Sequence, residues 1–287
     1  MEKEANIFDN RPEMAWCPGC GNFAIRNIML QVLHEMGLQR QEVVFVSGIG
    51  QAAKAPQYYN ASYFNGLHGR SLPAATGINA ANPRLKVIVE SGDGDMYGEG
   101  GNHFIHALRR NPDITIIVHD NMVYGLTKGQ ASPTSQPGMV TPVQVDGVFA
   151  APLNPLALAV SLDASFVARC SAHKPEQMKE IVKQAIDHEG LALVDVFQSC
   201  VTFNKVNTFK WFTENTVMID ENHDPYDRQA AFAMALLADP WPLGIVYLND
   251  KKTSFTNNLR AYRENDRPLF ERKISEEQMR GLVARYS

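Results

Sequence analysis

The sequence is poor in cysteine, lacks long apolar runs and carries little net charge, and each absence excludes a class of protein. Four cysteines in 287 residues are too few for a disulfide scaffold. No apolar run reaches the length of a transmembrane helix, and the N-terminus lacks the basic and apolar regions of a secretory signal. A net charge of −4 argues against nonspecific binding to nucleic acid or to a membrane surface. We therefore expect a cytoplasmic protein.

Short apolar runs alternate with amphipathic segments along most of the chain. This pattern predicts an α/β fold with a doubly wound, mainly parallel sheet. Strands are expected over 43–46, 85–89, 114–118, 165–168 and 191–197, with an edge strand over 244–248. Helices are expected over 24–36, 72–81, 101–110, 175–188 and 229–237, and a long loop of the functional kind over 129–155. We expect three parts: an irregular N-terminal segment over 1–22, the main α/β domain over 23–207 and a C-terminal extension over 208–287.

Two of the predicted strands run directly into oxygen-bearing side chains. Gly92-Asp93-Gly94-Asp95 comes shortly after the run over 85–89, and Asp120-Asn121 follows the run over 114–118. Ligands usually bind beyond the carboxyl ends of such strands, so Asp93 and Asn121 could meet at one edge of the sheet. Oxygen ligands together with a phosphate-bearing cofactor are the usual setting of protein-bound Mg²⁺, and glycines let backbone N–H groups approach phosphates closely.

Gly-Asp-Gly followed by Asp-Asn after a spacer of 25 residues resembles the thiamine diphosphate (ThDP) motif, which usually ends in Asn-Asn. The resemblance implies that Mg²⁺ is bound by Asp93, Asn121 and the carbonyl of Val123. Two further runs, 124–135 and Trp-Cys-Pro-Gly-Cys-Gly over 16–21, extend the likeness. Together they make the sequence similar to the β subunits of 2-oxoacid:ferredoxin oxidoreductases, from about residue 17 to about residue 207.

The same resemblance implies which residues surround ThDP and the substrate. The residues expected to contact the cofactor are Ser47, Gly48, Ile49, Gly50, His68, Gly92, Gly94, Asp95, Tyr124, Gly125, Leu126 and Thr127. Three residues are predicted to serve catalysis. Lys54 is expected near the substrate carboxylate, His68 near the diphosphate, and Leu126 as an apolar wall against the substrate.

The family also places a 4Fe–4S cluster beside ThDP, and the cysteines match it incompletely. Cys17, Cys20 and Cys200 match three ligands, whereas Gln51 follows Gly-Ile-Gly where the third cysteine is usual. Four thiolates are the ordinary requirement, so Gln51, water, substrate or a partner residue could occupy the remaining position. Alternatively, the cysteines are left over from a lost cluster or hold zinc with another ligand. Cys170 matches no family ligand and is expected to be a small buried apolar residue.

Three histidines are further candidates. His103 and His106 are spaced for one face of a helix, but no third ligand has suitable spacing, so surface or packing roles are expected. His119 ends the strand beside the ThDP motif. For His119, a packed residue and a supporting role beside the cofactor both stay open.

The resemblance implies coenzyme A-dependent oxidative decarboxylation of a 2-oxoacid, with electrons passing through the cluster to ferredoxin. In related enzymes the glutamate that activates ThDP lies on a pyrimidine-binding domain, which this sequence lacks. An α subunit is therefore expected to supply that domain and coenzyme A. The alternatives are a ThDP-dependent decarboxylase or oxidoreductase with another acceptor and a lost or labile cluster, or a subunit that has lost catalysis. A dinucleotide-binding site is disfavoured because the loop over 47–53 lacks the third glycine.

Overall fold

A single mixed sheet organises the described part of the chain. The computed structural model describes residues 6–10, 12–263, 265 and 267–286, so the first five residues of the predicted N-terminal segment lie outside the described residues. The strands are β1 (Val43–Ser47), β2 (Ser62–Asn65), β3 (Lys86–Gly92), β4 (Ile114–Asp120), β5 (Phe166–Ser171), β6 (Leu191–Phe197), β7 (Thr216–Met218) and β8 (Trp241–Leu248). Their order in the sheet is β2-β1-β3-β4-β6-β5-β8-β7, and only the β5–β8 pairing is antiparallel among these strands.

Helices cover both faces of this sheet. In chain order they are α1 (Asn22–Glu35), α2 (Ser71–Ala81), α3 (Gly101–Arg110), α4 (Pro155–Ser161), α5 (Pro175–Asp187), α6 (Phe209–Glu214), α7 (Arg228–Ala235), α8 (Phe255–Asn258) and α9 (Glu276–Ala284). Short 3₁₀ helices span Arg40–Glu42, Ala52–Tyr58 and Leu269–Glu271. One core contains α1 and α5, and the other contains α2, α3, α4 and α7. The predicted doubly wound, mainly parallel α/β sheet is confirmed.

The central strands and their helices form where the sequence pattern predicts them. Every residue of β4 and β6 is buried, as expected for apolar strands covered on both faces. Helix α5 begins with Pro175, which suits a first helical position, and then buries one side of its surface, from Met178 to Ile186. Helix α3 ends where Asn111 adopts a left-handed conformation, a common helix terminator.

Two short strands at the sheet margins escape the sequence pattern. All four residues of β2 are exposed, so Ser62–Asn65 shows no alternation of buried and exposed positions. The predicted edge strand over 244–248 is wrong in its position, because β7 pairs outside β8 and takes the edge. β7 contains only Thr216–Met218, too few residues to produce a recognisable period.

The C-terminal part of the described chain continues the same sheet. β8 pairs with β5, and helix α7 packs beside α4. Further along, the Tyr262 hydroxyl donates a hydrogen bond to the carbonyl of Ala80, at 2.6 Å. The division into three parts at residues 22 and 207 stays a prediction. No helix among the described residues combines the length and apolarity needed to cross a bilayer.

The parallel strands place four loops at one edge of the sheet. β1, β3, β4 and β6 run in the same direction, so the segments that follow their carboxyl ends lie side by side. These segments begin at Gly48, Asp93, Asn121 and Gln198. The crevice beyond such strand ends is the usual ligand site in open α/β sheets.

Candidate active site

A cleft of about 540 Å³ opens beyond the carboxyl ends of β1, β3 and β4. It contains all three predicted Mg²⁺ ligands and every predicted cofactor residue except Ser47 and Gly48. The lining residues are Ile49, Gly50, Gln51, Ala52, His68, Gly92, Asp93, Gly94, Asp95, Asn121, Val123, Tyr124, Gly125, Leu126 and Thr127.

Asp93, at the floor of the cleft, is joined by one hydroxyl to a second buried carboxyl group, Asp120, which lies behind the cleft lining. Thr134, 3% exposed, places Oγ1 2.7 Å from Asp93 Oδ2 and 2.9 Å from Asp120 Oδ1. Burial raises the pKa of Asp93 to about 6, although hydrogen bonds from Ser132, Thr134 and the Gly94 backbone oppose that shift. Burial also raises the pKa of Asp120 well above its ordinary value, and the nearby Asp195 and Asp93 carboxylates add to the effect.

One of the two carboxyl groups around Thr134 must carry a proton if both short distances are hydrogen bonds, and the direction of its pKa makes Asp120 the candidate. A hydroxyl carries one proton, so Thr134 cannot donate to two ionised carboxylates at once. A protonated Asp120 can donate to Thr134 Oγ1, and Thr134 can then donate to Asp93. This chain leaves Asp93 as the carboxylate that faces the cleft. Asp120 additionally accepts a hydrogen bond from the backbone N–H of Met122 at 3.1 Å.

The turn after β4 is held by its own side chains and by a distant asparagine. Asn121 Oδ1 accepts a hydrogen bond from the Val123 backbone N–H at 3.1 Å, and Met122 adopts a left-handed conformation with φ 57°. Asn204 Nδ2 donates to the Asn121 carbonyl at 3.0 Å. One carboxylate, one amide and one backbone carbonyl in a single cleft are the hard oxygen donors that suit Mg²⁺.

Asp95 lines the cleft, but its carboxylate is occupied by neighbouring loops. Oδ1 accepts from the backbone N–H of Ile49 at 3.0 Å and of Gly69 at 2.8 Å, and it lies 2.6 Å from His68 Nδ1. Oδ2 accepts from the Ser91 hydroxyl at 2.5 Å. Asp95 therefore ties together the loops after β1 and β2 and the end of β3, which makes it a positioning residue.

The predicted diphosphate side of the cleft depends on an aromatic ring packed on glycine. The Tyr124 hydroxyl donates its one proton to Glu99 at 2.9 Å, and its oxygen also lies 3.2 Å from the Gly94 carbonyl oxygen. A Cβ atom at Gly94 would lie 2.2 Å from the Tyr124 ring, so glycine is required there. His68 Nε2 lies 3.5 Å from Glu99, and its ring remains open to the cleft.

Two residues on the far side of the Tyr124 turn face solvent. Leu126 is 41% exposed. The Thr127 hydroxyl donates to Gln130 Oε1 at 2.5 Å. Both residues line the cleft from the long loop that follows β4.

Three residues predicted to serve ThDP binding or catalysis stand outside the cleft lining. The Ser47 hydroxyl and the Gly48 carbonyl both accept from Asn65 Nδ2, at 2.8 Å each, so they shape the loop from behind. Gly48 also packs on Asp95, where a Cβ atom would lie 2.1 Å from Oδ2. Lys54 lies in the 3₁₀ helix after Gln51 and is not among the residues that line the cleft.

A second cavity, of about 410 Å³, adjoins the first and contains the three predicted cluster cysteines. It is lined by Trp16, Cys17, Cys20, Asn22, Gln51, Asn121, Gly125, Cys200, Val201, Thr202 and Phe203. The N-terminal segment is held in place by Trp16, whose indole N–H donates to the Gln51 carbonyl at 2.8 Å. Gln51 Oε1 is buried and has no hydrogen-bond partner in the described structure.

The cysteines themselves are separate thiols in this cavity. No three His, Cys, Asp or Glu side chains among the described residues stand together at metal-binding distance. Burial raises the pKa of Cys20 to about 11, opposed by the Asn22 backbone N–H and reinforced by Cys200 and Cys17. Three thiols and an unpaired amide oxygen, from Gln51, provide soft and neutral donors of the kind that an iron–sulfur cluster with one unusual ligand would need.

The other candidates have structural surroundings. Cys170 is fully buried in the core formed around α1 and α5. His106 lies 3.2 Å from Arg109 and His103 is partly buried, consistent with surface roles. His119 is fully buried, and its Nδ1 atom lies 2.9 Å from Asn22 Oδ1, so it lies behind the cysteine cavity.

Several polar residues that hold the site are not identifiable as site residues from the sequence. Thr134 bridges the two carboxyl groups, Asn204 fixes the Asn121 turn, and Asn22 lines the cysteine cavity. The sequence offers one indication that Thr134 belongs to the site, because Thr134 lies in the run over 124–135 that resembles the family. Asn22 has no such signal, because its contacts join segments far apart in the chain.

Comparisons with known proteins agree with this architecture. The family model described as "Thiamine pyrophosphate enzyme, C-terminal TPP binding domain" matches residues 44–196. A second family model, for the C-terminal part of the pyruvate ferredoxin oxidoreductase beta chain, matches residues 200–264. These two matches together cover β1 to the C-terminal strands.

Individual relatives point the same way. The 2-oxoacid:ferredoxin oxidoreductase subunit beta of Saccharolobus solfataricus is 43% identical over 258 residues, covering 85% of each chain. The 2-oxoglutarate oxidoreductase subunit KorB of Mycobacterium tuberculosis is 44% identical over 197 residues, covering 69% of this chain and 53% of that one. A solved 2-oxoglutarate:ferredoxin oxidoreductase from Magnetococcus marinus, with 2-oxoglutarate, coenzyme A and succinyl-CoA bound, superimposes with a TM-score of 0.91 at 34% identity, covering 99% of this chain and 97% of that chain. The chain therefore belongs to the family of 2-oxoacid:ferredoxin oxidoreductase β subunits, built on the ThDP-binding fold.

Proposed function

We propose that this chain binds Mg²⁺ and ThDP in the larger cleft and a 4Fe–4S cluster in the cysteine cavity. Together with an α subunit it would convert a 2-oxoacid, coenzyme A and oxidised ferredoxin into acyl-CoA, CO₂ and reduced ferredoxin. When bound, ThDP supplies the carbon nucleophile and electron sink for decarboxylation, and the cluster supplies a one-electron acceptor. The protein would act in the cytoplasm, as expected from its sequence.

The main support for this proposal is that the ThDP cleft and the cysteine cavity share one wall. Gln51, Asn121 and Gly125 line both of them. A cofactor in the larger cleft and a cluster in the cysteine cavity would therefore be separated by little more than one layer of residues. Such closeness suits a reaction that passes two electrons from an organic cofactor to one-electron carriers.

The metal-binding part of the proposal rests on the chemistry of the cleft floor. Asp93 would supply a carboxylate oxygen to Mg²⁺, Asn121 an amide oxygen and Val123 its carbonyl. Asp120 stands where the family usually has asparagine. A protonated Asp120 can donate a hydrogen bond to Thr134, as an amide N–H would, so the substitution is compatible with a functional site.

Three side chains are proposed to contact the reacting molecules. His68 directs Nε2 toward the cleft, 3.5 Å from Glu99, because Nδ1 is engaged by Asp95, so Nε2 is the ring atom that would meet a phosphate or substrate oxygen. Leu126 presents an exposed apolar surface against the substrate. Lys54 would reach the substrate carboxylate only if its flexible side chain turned toward the cleft.

The proposed need for an α subunit rests on what the cleft contains. Glutamate is absent from its lining in the described part of the chain, and the described strands belong to one sheet. The glutamate that activates ThDP in related enzymes would thus come from a partner's pyrimidine-binding domain. The solved relative from Magnetococcus marinus contains coenzyme A, which supports the proposal that the complex uses this acceptor.

The cluster is the part of the proposal with the unusual ligand set. Cys17, Cys20 and Cys200 would bind three irons as thiolates, and the raised pKa of Cys20 means that iron must displace its proton. The unpaired Gln51 Oε1 is the proposed neighbour of the fourth iron. A cluster with one weakly bound iron would be labile to oxygen and chelators.

The test is ferredoxin reduction by the anaerobically purified αβ complex. We expect reduction that requires both a 2-oxoacid and coenzyme A, and none from this chain alone. Asp93→Ala should abolish decarboxylation, whereas Cys20→Ser should abolish ferredoxin reduction. Activity of the isolated chain, or full ferredoxin reduction by Cys20→Ser, would refute the assignment.

A second function is favoured by Gln51 alone. Without a fourth cysteine, the chain could belong to a ThDP-dependent decarboxylase or an oxidoreductase with another acceptor. That enzyme would release product from the 2-oxoacid while ferredoxin stays oxidised and iron is absent. The same assay therefore separates the two functions.

A further inference from the structure

Asn22, the first residue of helix α1, forms part of the wall of the cysteine cavity. Asn22 is 1% exposed, and it lines the cavity together with Cys17, Cys20 and Cys200. Its backbone N–H already interacts with the Cys20 thiol and opposes the rise in that pKa. The side chain of Asn22 has no role in the proposed ligand set.

The orientation of the Asn22 amide follows from its hydrogen bonds. Oδ1 lies 2.9 Å from His119 Nδ1 and accepts from Gln198 Nε2 at 2.9 Å. An amide oxygen accepts two hydrogen bonds, so both lone pairs are used. The amide nitrogen, Nδ2, donates to no acceptor among the described residues, and Asn22 lines the cysteine cavity. Its two N–H groups are left for the cavity.

Buried neighbours keep that orientation fixed. His119 Nε2 lies 3.7 Å from Glu90 Oε2, and the Tyr59 hydroxyl donates to Glu90 Oε1 at 2.9 Å. His119 and Glu90 are both fully buried, so water does not reach either side chain. Neither His119 Nε2 nor Glu90 Oε2 forms a hydrogen bond among the described residues, so packing keeps the His119 ring beside the asparagine oxygen.

Gln198 is also held by close packing. A Cβ atom at Gly21 would lie 2.3 Å from Gln198 Oε1, so the glutamine side chain lies directly against the glycine backbone. Gly21 precedes Asn22 and follows Cys20 in the sequence. The short stretch Cys-Gly-Asn thus combines a proposed ligand, a packing site for the amide that orients Asn22, and Asn22 itself.

We infer that the Asn22 side-chain amide donates a hydrogen bond to a sulfur atom of the cluster, and that His119 and Gln198 are the residues that position it. The inference rests on the proposed function, because it needs a cluster in this cavity. Hydrogen bonds to cluster sulfurs are among the factors that set the reduction potential. Since the reduced cluster is more negative, an N–H donor stabilises it more than the oxidised form and raises the potential.

The test is a redox titration of the cluster in the αβ complex, followed by EPR, after iron has been measured in each variant. Asn22→Leu keeps a similar volume and removes the donor. We expect iron to be retained and the potential to become more negative. A tenfold change in the ratio of oxidised to reduced cluster, our expected size, corresponds to about 59 mV for one electron.

Two further variants keep the result interpretable. Gln198→Leu leaves Asn22 in place but removes one of the donors that orient it, so a smaller shift in the same direction is expected. If Asn22→Leu fails to fold, the reduction potential of Gln198→Leu tests the inference in its place. Asn79→Leu is the matched control, because Asn79 is a fully buried asparagine in α2, which packs in the other core. It should leave the potential unchanged.

The possible failures are distinguishable. Absence of iron from the wild-type complex would refute the cluster and, with it, this role of Asn22. Iron in every variant with an unchanged potential in both Asn22→Leu and Gln198→Leu would overturn the inference while the proposed function stands.

Discussion

The hydroxyl of Thr134 gives the most direct mutational test of the cleft floor. Thr134→Val keeps the shape of the side chain and removes the one group that joins Asp93 to Asp120, at 2.7 and 2.9 Å. Hydrogen bonds that involve a charged group contribute about 1.5–3 kcal/mol each. Two contacts share one hydroxyl proton, so we expect the free energy of unfolding at pH 7 to fall by about 3 kcal/mol, near the upper end for one such bond.

Cofactor binding should fall as well. Without Thr134 the Asp93 carboxylate loses a donor that holds its pKa down, so its pKa rises further from about 6 and protons compete with Mg²⁺ near neutral pH. A lost hydrogen bond of about 3 kcal/mol raises a pKa by about two units, and each unit by which the pKa exceeds the working pH weakens binding about tenfold. We therefore expect Mg²⁺-dependent ThDP affinity to fall by about one order of magnitude.

The assays are denaturant unfolding and calorimetric titration of ThDP in the presence of Mg²⁺. Thr134→Ser retains the hydroxyl and should stay close to wild type in affinity. Thr115→Val is the matched control, because the buried Thr115 hydroxyl donates one neutral hydrogen bond to the Ala185 carbonyl, at 3.1 Å, away from the cleft. It should cost about 1 kcal/mol of stability and no affinity. Equal ThDP affinity in Thr134→Val and Thr134→Ser would refute the proposed role of the hydroxyl.

Three other predictions follow from the same structure. Because burial raises the pKa of Asp93 to about 6, the affinity for Mg²⁺ and ThDP should be constant above that pH and fall about tenfold per pH unit below it. An affinity that stays constant from pH 7 to pH 5 would contradict this expectation. Gly48→Ala places a Cβ atom 2.1 Å from Asp95 Oδ2 and should displace the loop, which weakens ThDP binding by about tenfold or more in a calorimetric titration. Gly77→Ala is the control, because its Cβ atom meets no atom within 4 Å, and it should leave ThDP binding unchanged. Cys170→Ser should lower the unfolding free energy by about 1–3 kcal/mol without changing iron content, and iron loss in that variant would show that Cys170 is a ligand.

Much of the fold could be predicted because its central strands bury both faces. The runs that form β3, β4 and β6 are apolar over most of their length, and their order with α3 and α5 between them leaves few alternatives to a parallel sheet. The margins could not be predicted in this way. β2 is exposed throughout, and β7 has three residues, so neither carries a hydrophobic period.

The candidate site is predictable where it follows from strand ends. Asp93, Asn121 and the loop after β1 lie in one cleft because their strands run in parallel and end at one edge. Which of the polar side chains face the cleft is not predictable from sequence. Asp95 is expected to contact the cofactor, yet its oxygens accept from two other loops, and Ser47 bonds to Asn65 behind the lining.

The supporting residues escape prediction because their partners are distant in sequence. Thr134 bonds to Asp93, 41 positions away, and Asn22 bonds to Gln198, 176 positions away. Only packing of the whole fold brings such pairs together. A single sequence contains no periodic signal for a contact of this kind.

Electron transfer from ThDP to a cluster held by this chain can be observed by EPR spectroscopy of the anaerobically co-purified αβ complex, before and after a 2-oxoacid and coenzyme A are added. We expect a reduced-cluster signal that appears only after both are added, and that is lost in Cys17→Ser. A complex that binds ThDP and consumes the 2-oxoacid but never yields an iron signal would contradict it.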